Sequence, residues 1–152
     1  MTDRRRNWEL PTREFARRET FARCERVLAE IDRISRNAGE DEVHDLRVSI
    51  RRFTQAVRIF EPLLPKRTKK IVKRVRMLLA AAGEVRDLDV GIERLLKLGV
   101  PEQDPLLLSM HETRRRLSLQ LLGEVFKLRA GAPEQSWPAV FLPETAPEVA
   151  QP

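Results

Sequence analysis

VHDLRVSIRRFTQAVR, residues 43–58, carries an apolar face and a row of cations on the same segment. Its apolar residues recur every three or four positions, and this period predicts an amphipathic α-helix with one buried face. They are Val43, Leu46, Ile50, Phe53 and Val57. At 100° per residue, Arg47, Arg51 and Arg58 fall within about 60° of His44, beside the apolar face. The cations should therefore edge a groove between helices instead of facing open solvent.

The helical period continues along the chain, and no stretch shows the alternation typical of a β-strand. Pro62 and Pro65 should end the second helix, and Gly83 should interrupt the third. We predict helices at 12–37, 40–60, 66–82, 84–98 and 103–129. Antiparallel helices joined by short loops predict an all-α bundle of four to five helices with a basic groove.

The two ends of the chain differ from this bundle, which we place at residues 12–131. Residues 1–11 are predicted to be a flexible basic N-terminus. Residues 132–152 hold five prolines without a helical period, so we expect an extended or disordered Pro-rich tail. Within that tail, Trp137 to Leu142 would be the segment that docks on the bundle or on another chain.

Several features favour a soluble protein in the cytoplasm. No apolar run approaches the length of a membrane span. The arginine-containing N-terminus lacks the apolar region of a signal peptide. Cys24 is the single cysteine, so no internal disulfide can form, as is usual in a reducing compartment.

Positive charge is concentrated in one part of the chain. The whole sequence has a net charge of +6, but between His44 and Arg76 eleven Lys and Arg residues face two acids. Such concentration implies an anionic partner. On the third helix, Lys66, Lys73 and Arg76 lie within about 60° of Lys69. If the second and third helices are neighbours, two basic rows share one concave surface, which suits a linear chain of phosphates.

Two strings, VHDLRVSIRRF at 43–53 and LLAAAGEVRDLDVGIERL at 78–95, resemble the CHAD family, the conserved histidine α-helical domain. The resemblance covers roughly residues 12–129. It implies helical bundles with a basic surface that bind inorganic polyphosphate and accompany polyphosphate-metabolising enzymes. Because the acidic residues lie mostly away from the basic rows, we expect binding without catalysis, and the binding would serve to target the protein to polyphosphate granules or to such enzymes.

From the rows and the resemblance together we expect a set of polyphosphate-binding residues. They are His44, Arg47, Arg51, Arg52, Arg58, Lys66, Lys69, Lys73, Arg76 and Arg114. Arg52 lies about 80° from His44 and so off the main row. Arg86, Asp87 and Asp89 match the Arg-Asp-Leu-Asp segment, and one of the two aspartates should hold an arginine of the histidine helix in place. We expect no cofactor, no metal and no catalytic residue.

Several alternatives stay open at this point. His44 could instead be a half-buried structural histidine, and His111 shares the His-x-x-Arg spacing of His44. A nucleic-acid-binding helical protein is the alternative function, although stacking aromatics are missing from the basic rows. Another possibility is a scaffold that uses the tail to target partner enzymes. Because the family usually has two related halves and this chain has one, two chains are expected to pair as a homodimer.

Overall fold

The computed structural model describes residues 12–131 and 136–142. Within them the chain forms four α-helices and no strand, which confirms the all-α fold. The helices are α1 (Thr12–Arg36), α2 (Glu40–Phe60), α3 (Thr68–Lys97) and α4 (Pro105–Gly131). Short 3-10 turns follow α2 at Glu61–Leu63 and form at Pro138–Phe141. No described helix combines the length and the apolar character that crossing a bilayer requires.

The tight turn between α1 and α2 sets these helices antiparallel. Gly39 has an extended backbone, and its carbonyl accepts the N–H of Val43 at 3.0 Å. Acidic residues fill the first turn of α2, where they complement the positive end of the helix dipole. Ion pairs join the two helices as well, since Arg33 of α1 lies 3.0 Å from Asp45 of α2.

The predicted interruption at Gly83 is wrong, because α3 runs unbroken from Thr68 to Lys97. A glycine inside a helix costs about 1 kcal/mol relative to alanine. Here the flanking Ala82 and Val85 are fully buried, and their packing outweighs that local cost. Over the described residues the bundle therefore has four helices, which agrees with the predicted four to five.

The core lies between the four helices, which pack as α1 on α2, α2 on α3 and α3 on α4. Its largest fully buried side chains include Ile31, Leu46, Phe53, Leu78 and Leu121. The predicted apolar face of residues 43–58 is buried in full, from Val43 to Val57. This leaves the cations of α2 on its remaining faces.

Part of the predicted tail belongs to this core. Trp137 and Phe141 are buried, and the Phe141 ring meets Phe53 edge to face with centroids 6.1 Å apart. These residues contact the chain's own bundle, with the 3-10 turn packed on α1. The expectations for residues 1–11, 132–135 and 143–152 lie outside the described residues.

Candidate functional site

A groove of about 830 Å³ lies between the end of α2 and the start of α3; we call it the α2–α3 groove. Val57 and Val72 supply part of its apolar floor, and Pro62 and Pro65 lie where the chain turns between the helices. Pro62 lies within the 3-10 turn at Glu61–Leu63, where α2 ends because proline cannot continue the helix.

Five cations line the α2–α3 groove. Arg58 comes from α2, and four others come from the approach to α3 and its first turns: Lys66, Lys69, Lys73 and Arg76. Spacings of three and four residues keep these four on one side of a helix. All five side chains are exposed. Glu61 is the one carboxylate among the lining residues, and its Oε1 lies 3.2 Å from Lys69 Nζ.

Two other predicted arginines, Arg47 and Arg51, lie on α2 between its N-terminus and the groove. Arg47 is half-buried, and its Nη1 donates to the carbonyl of Gly83 on α3 at 3.4 Å. Arg51 follows one turn later and is exposed. Gln55, one turn further, lines the groove itself, so the predicted row leads into the groove.

His44 and Arg52 line a different depression, of about 500 Å³, between α1 and α2; we call it the α1–α2 cleft. Arg23 and Arg26 of α1 line it too. His44 is therefore separated from the rest of the predicted row, and it lies beside Arg52, which was predicted to be off that row. His44 is exposed, which is not the half-buried position that the structural alternative requires.

Much of the charge in the α1–α2 cleft is paired within the chain. Arg23 bonds Glu19 at 2.5 Å, and Arg26 lies 2.7 Å from the buried Glu30. Asp45 also lines the cleft and adds negative charge to it. The hydrogen bond with Asp45, together with the charge of Glu30, raises the pKa of Arg33. The α2–α3 groove consequently has the larger surplus of positive charge.

The prediction that Asp87 or Asp89 holds an arginine of the histidine helix in place is wrong for Asp89. Asp89 does not hold an arginine of α2: its Oδ1 accepts from Nε of Arg114 on α4 at 2.8 Å. Arg114 Nη1 also donates to the carbonyl of Ala38, in the α1–α2 turn, at 3.0 Å. We call this set of contacts the Arg114 clamp.

The geometry of α3 explains the error. Arg86 bonds Glu40, the first residue of α2, at 2.5 Å. Because α2 and α3 run in opposite directions, Asp89, one turn further along α3, lies beyond the N-terminus of α2. Asp87 is exposed. Arg114 was expected to bind the anion, but it does not line the α2–α3 groove and its guanidinium is occupied by the clamp. His111 is exposed on α4 and does not line the groove either.

Sequence reasoning missed some residues that border the two depressions. Thr54 and Thr68 line the α2–α3 groove, and Arg23 and Arg26 line the α1–α2 cleft. The threonines carry no charge and gave no signal. The three-residue spacing of Arg23 and Arg26 was a signal, because it places both on one face of α1.

The α2–α3 groove is chemically suited to bind anions through several weak, exposed charge contacts. None of its described lining residues is aromatic, so a stacking platform for nucleobases is missing from it. Among the residues that the structure describes, no group of three His, Cys, Asp or Glu side chains is placed to hold a metal ion.

Comparison with known proteins gives one positive result. A family model described as CHAD domain matches residues 20–147 of the 152-residue chain. The match includes α2, α3, the Arg114 clamp and the Trp137–Phe141 segment. No curated protein and no solved structure matches the chain.

Proposed function

Because the chain belongs to the CHAD domain family, we propose that it binds inorganic polyphosphate in the α2–α3 groove without acting as an enzyme on it. The family is often linked to polyphosphate binding. The observation that carries the proposal for this chain is the lining of the groove, where five cations face one carboxylate.

The shape of the cationic surface supports a linear ligand. From Lys69 to Arg76 the cations extend about 10 Å along α3, at 1.5 Å per residue, and Lys66 lies just before the helix. Arg58 faces them from α2. Arg51 and Arg47 continue the row along α2. A single small anion needs only one or two such contacts, whereas a polyanion gains from each additional cation that it neutralises.

The kinds of side chain fit the same ligand. Lysine ammonium groups and arginine guanidinium groups both bind phosphate oxygens, and charged hydrogen bonds are the stronger kind. Since the cations are exposed, we expect rapid binding with strong dependence on salt concentration. Without aromatic lining residues, the nucleic-acid alternative lacks base stacking and rests on charge alone.

The test is a titration of the full chain with long-chain polyphosphate, short-chain polyphosphate and single-stranded DNA at matched phosphate concentration. Each titration is repeated at several salt concentrations. We expect long-chain polyphosphate to bind most tightly at every salt concentration. Equal affinity for DNA would instead favour the nucleic-acid alternative.

Charge-matched variants locate the site. Lys69→Ala with Lys73→Ala removes two groove cations, while Lys70→Ala with Lys97→Ala removes two exposed lysines of α3 that do not line the groove. We expect the first pair to weaken polyphosphate binding about tenfold or more and to lower the salt slope by about two. Equal losses of polyphosphate affinity in the two double variants would show that the groove is not the binding site.

A further inference from the structure

Two threonines line the α2–α3 groove, one from each helix, and their hydroxyl groups differ in their hydrogen bonds. Thr54 of α2 donates from Oγ1 to the carbonyls of Ile50 and Arg51, at 2.9 and 3.1 Å. Thr68 is the first residue of α3 and is only 2% exposed, yet its Oγ1 has no hydrogen-bond partner among the described residues. A buried hydroxyl without a partner costs free energy, and such groups are rare in folded proteins.

The position of Thr68 at the start of a helix explains why its hydroxyl lacks a partner. A threonine inside a helix can donate to the carbonyl four residues earlier, as the fully buried Thr20 does to Ala16 at 2.8 Å. Four residues before Thr68 lies Leu64, whose backbone is extended with ψ at 153°, so its carbonyl does not take the helical direction. The hydroxyl of Thr68 is therefore available to an acceptor from outside the chain.

The surroundings of Thr68 favour an acceptor with negative charge. The first turn of α3 holds no acidic residue, and Arg67 at the N-cap makes no side-chain capping bond. The positive end of the helix dipole is thus not complemented by a carboxylate of its own turn, whereas the first turn of α2 holds three acids. Lys66 and Lys69, which flank Thr68 in the sequence, also line the groove. The backbone N–H groups of Thr68 and Lys69 already donate to the carbonyls of Pro65 and Lys66, so side chains are left to hold an anion.

We propose that the hydroxyl of Thr68 donates a hydrogen bond to a phosphate oxygen of polyphosphate at the start of α3, where Lys66 and Lys69 supply the positive charge. This inference rests on the proposed function and assigns one phosphate of the polymer to one place in the groove. Threonine occupies two χ1 rotamers in helices, so its hydroxyl can turn towards the bound phosphate at small cost. Hydrogen bonds to charged groups are stronger than those between neutral groups.

Valine variants of the two threonines test the proposal, because valine resembles threonine in shape and lacks the hydroxyl. The full chain is titrated with long-chain polyphosphate in a calorimeter at several salt concentrations. We expect Thr68→Val to weaken binding about tenfold with an unchanged salt slope, because the loss of a neutral hydroxyl changes no counterion release. Thr68→Ser keeps the hydroxyl and should bind within about twofold of the wild type. Thr54→Val is the matched control and should also stay within about twofold, since the hydroxyl of Thr54 already bonds within α2.

The melting temperature of the unliganded variants gives a second measurement. Because Thr68→Val removes a buried hydroxyl that lacks a partner, we expect its melting temperature to rise by about 2–4 °C. A lower melting temperature would show that the hydroxyl is already bonded in the unliganded protein, and would overturn the inference. Equal polyphosphate affinities of Thr68→Val and Thr54→Val would overturn it while leaving polyphosphate binding in place. A wild-type chain that does not bind polyphosphate would overturn the proposed function and this inference together.

Discussion

Lys69 Nζ lies 3.2 Å from Oε1 of Glu61, the one carboxylate among the described residues that line the α2–α3 groove. Both side chains are mostly exposed, so the pair contributes little to folding stability. Its effect is on binding, because a phosphate that approaches Lys69 competes with Glu61 and is repelled by it.

Replacing Glu61 by glutamine should therefore strengthen polyphosphate binding. We expect Glu61→Gln to raise affinity about two- to fivefold at low salt, which corresponds to about 0.5–1 kcal/mol for an exposed charge pair. The gain should shrink as salt screens the charges. Glu102→Gln is the control, since Glu102 is exposed between α3 and α4. If both variants gain equally, net charge and not the groove controls binding.

Two arginines of α2 allow the groove to be compared with the cleft on the other side of the helix. Arg58 lines the α2–α3 groove, and Arg52 lines the α1–α2 cleft. Both are exposed, so Arg58→Ala and Arg52→Ala remove the same charge at similar structural cost. We expect Arg58→Ala to weaken polyphosphate binding by severalfold more than Arg52→Ala in calorimetric titration. The reverse order would move the ligand to the α1–α2 cleft and His44.

This division of the cations shows where sequence reasoning reached its limit. Apart from the false break at Gly83, the period of three to four residues located the helix ends within a few residues. It also predicted that the two basic rows share one surface if α2 and α3 are neighbours, and Arg58, Lys69 and Lys73 do line one groove. Angular position alone could not tell which side of α2 faces α1 and which faces α3. His44 was therefore placed in one row with cations that lie on the other side of the helix, whereas Arg52 was correctly predicted to lie off that row.

The Arg114 clamp lay beyond local patterns for a different reason. Asp89 and Arg114 are 25 residues apart, and no periodicity relates them. Their contact depends on the unbroken length of α3, which the predicted break at Gly83 concealed. The sequence predicted that the segment with Trp137 and Phe141 would dock, but it left open whether on the bundle or on another chain. The structure shows both residues buried in the chain's own core.

Removing the two sides of the Arg114 clamp should have unequal effects on stability. The Asp89 side chain is 7% exposed and that of Arg114 is 21% exposed. Oδ2 of Asp89 is buried without a hydrogen-bond partner among the described residues. Arg114→Ala leaves this buried carboxylate unpaired and should lower the free energy of unfolding by about 3 kcal/mol. Asp89→Ala leaves a guanidinium that can reach water, so a loss of about 1–2 kcal/mol is expected.

Urea denaturation followed by helical circular dichroism measures both losses. The exposed Arg94 of α3 provides the control, and Arg94→Ala should change stability by about 0.5 kcal/mol or less. Losses from Arg114→Ala no greater than those from Arg94→Ala would mean that the clamp does not hold the helices together in solution.

The segment after α4 gives a test of the domain boundary. Phe141 is 1% exposed and packs on Phe53, whereas the adjacent Leu142 is 51% exposed. Phe141→Ala should lower the free energy of unfolding by about 3 kcal/mol, as expected for a buried phenylalanine that leaves a cavity. Leu142→Ala should cost about 1 kcal/mol or less, because much of its side chain is already in water. Thermal and urea unfolding of the two neighbouring variants measures the difference. Similar, small losses would show that the bundle folds without this segment and that its boundary lies near residue 131.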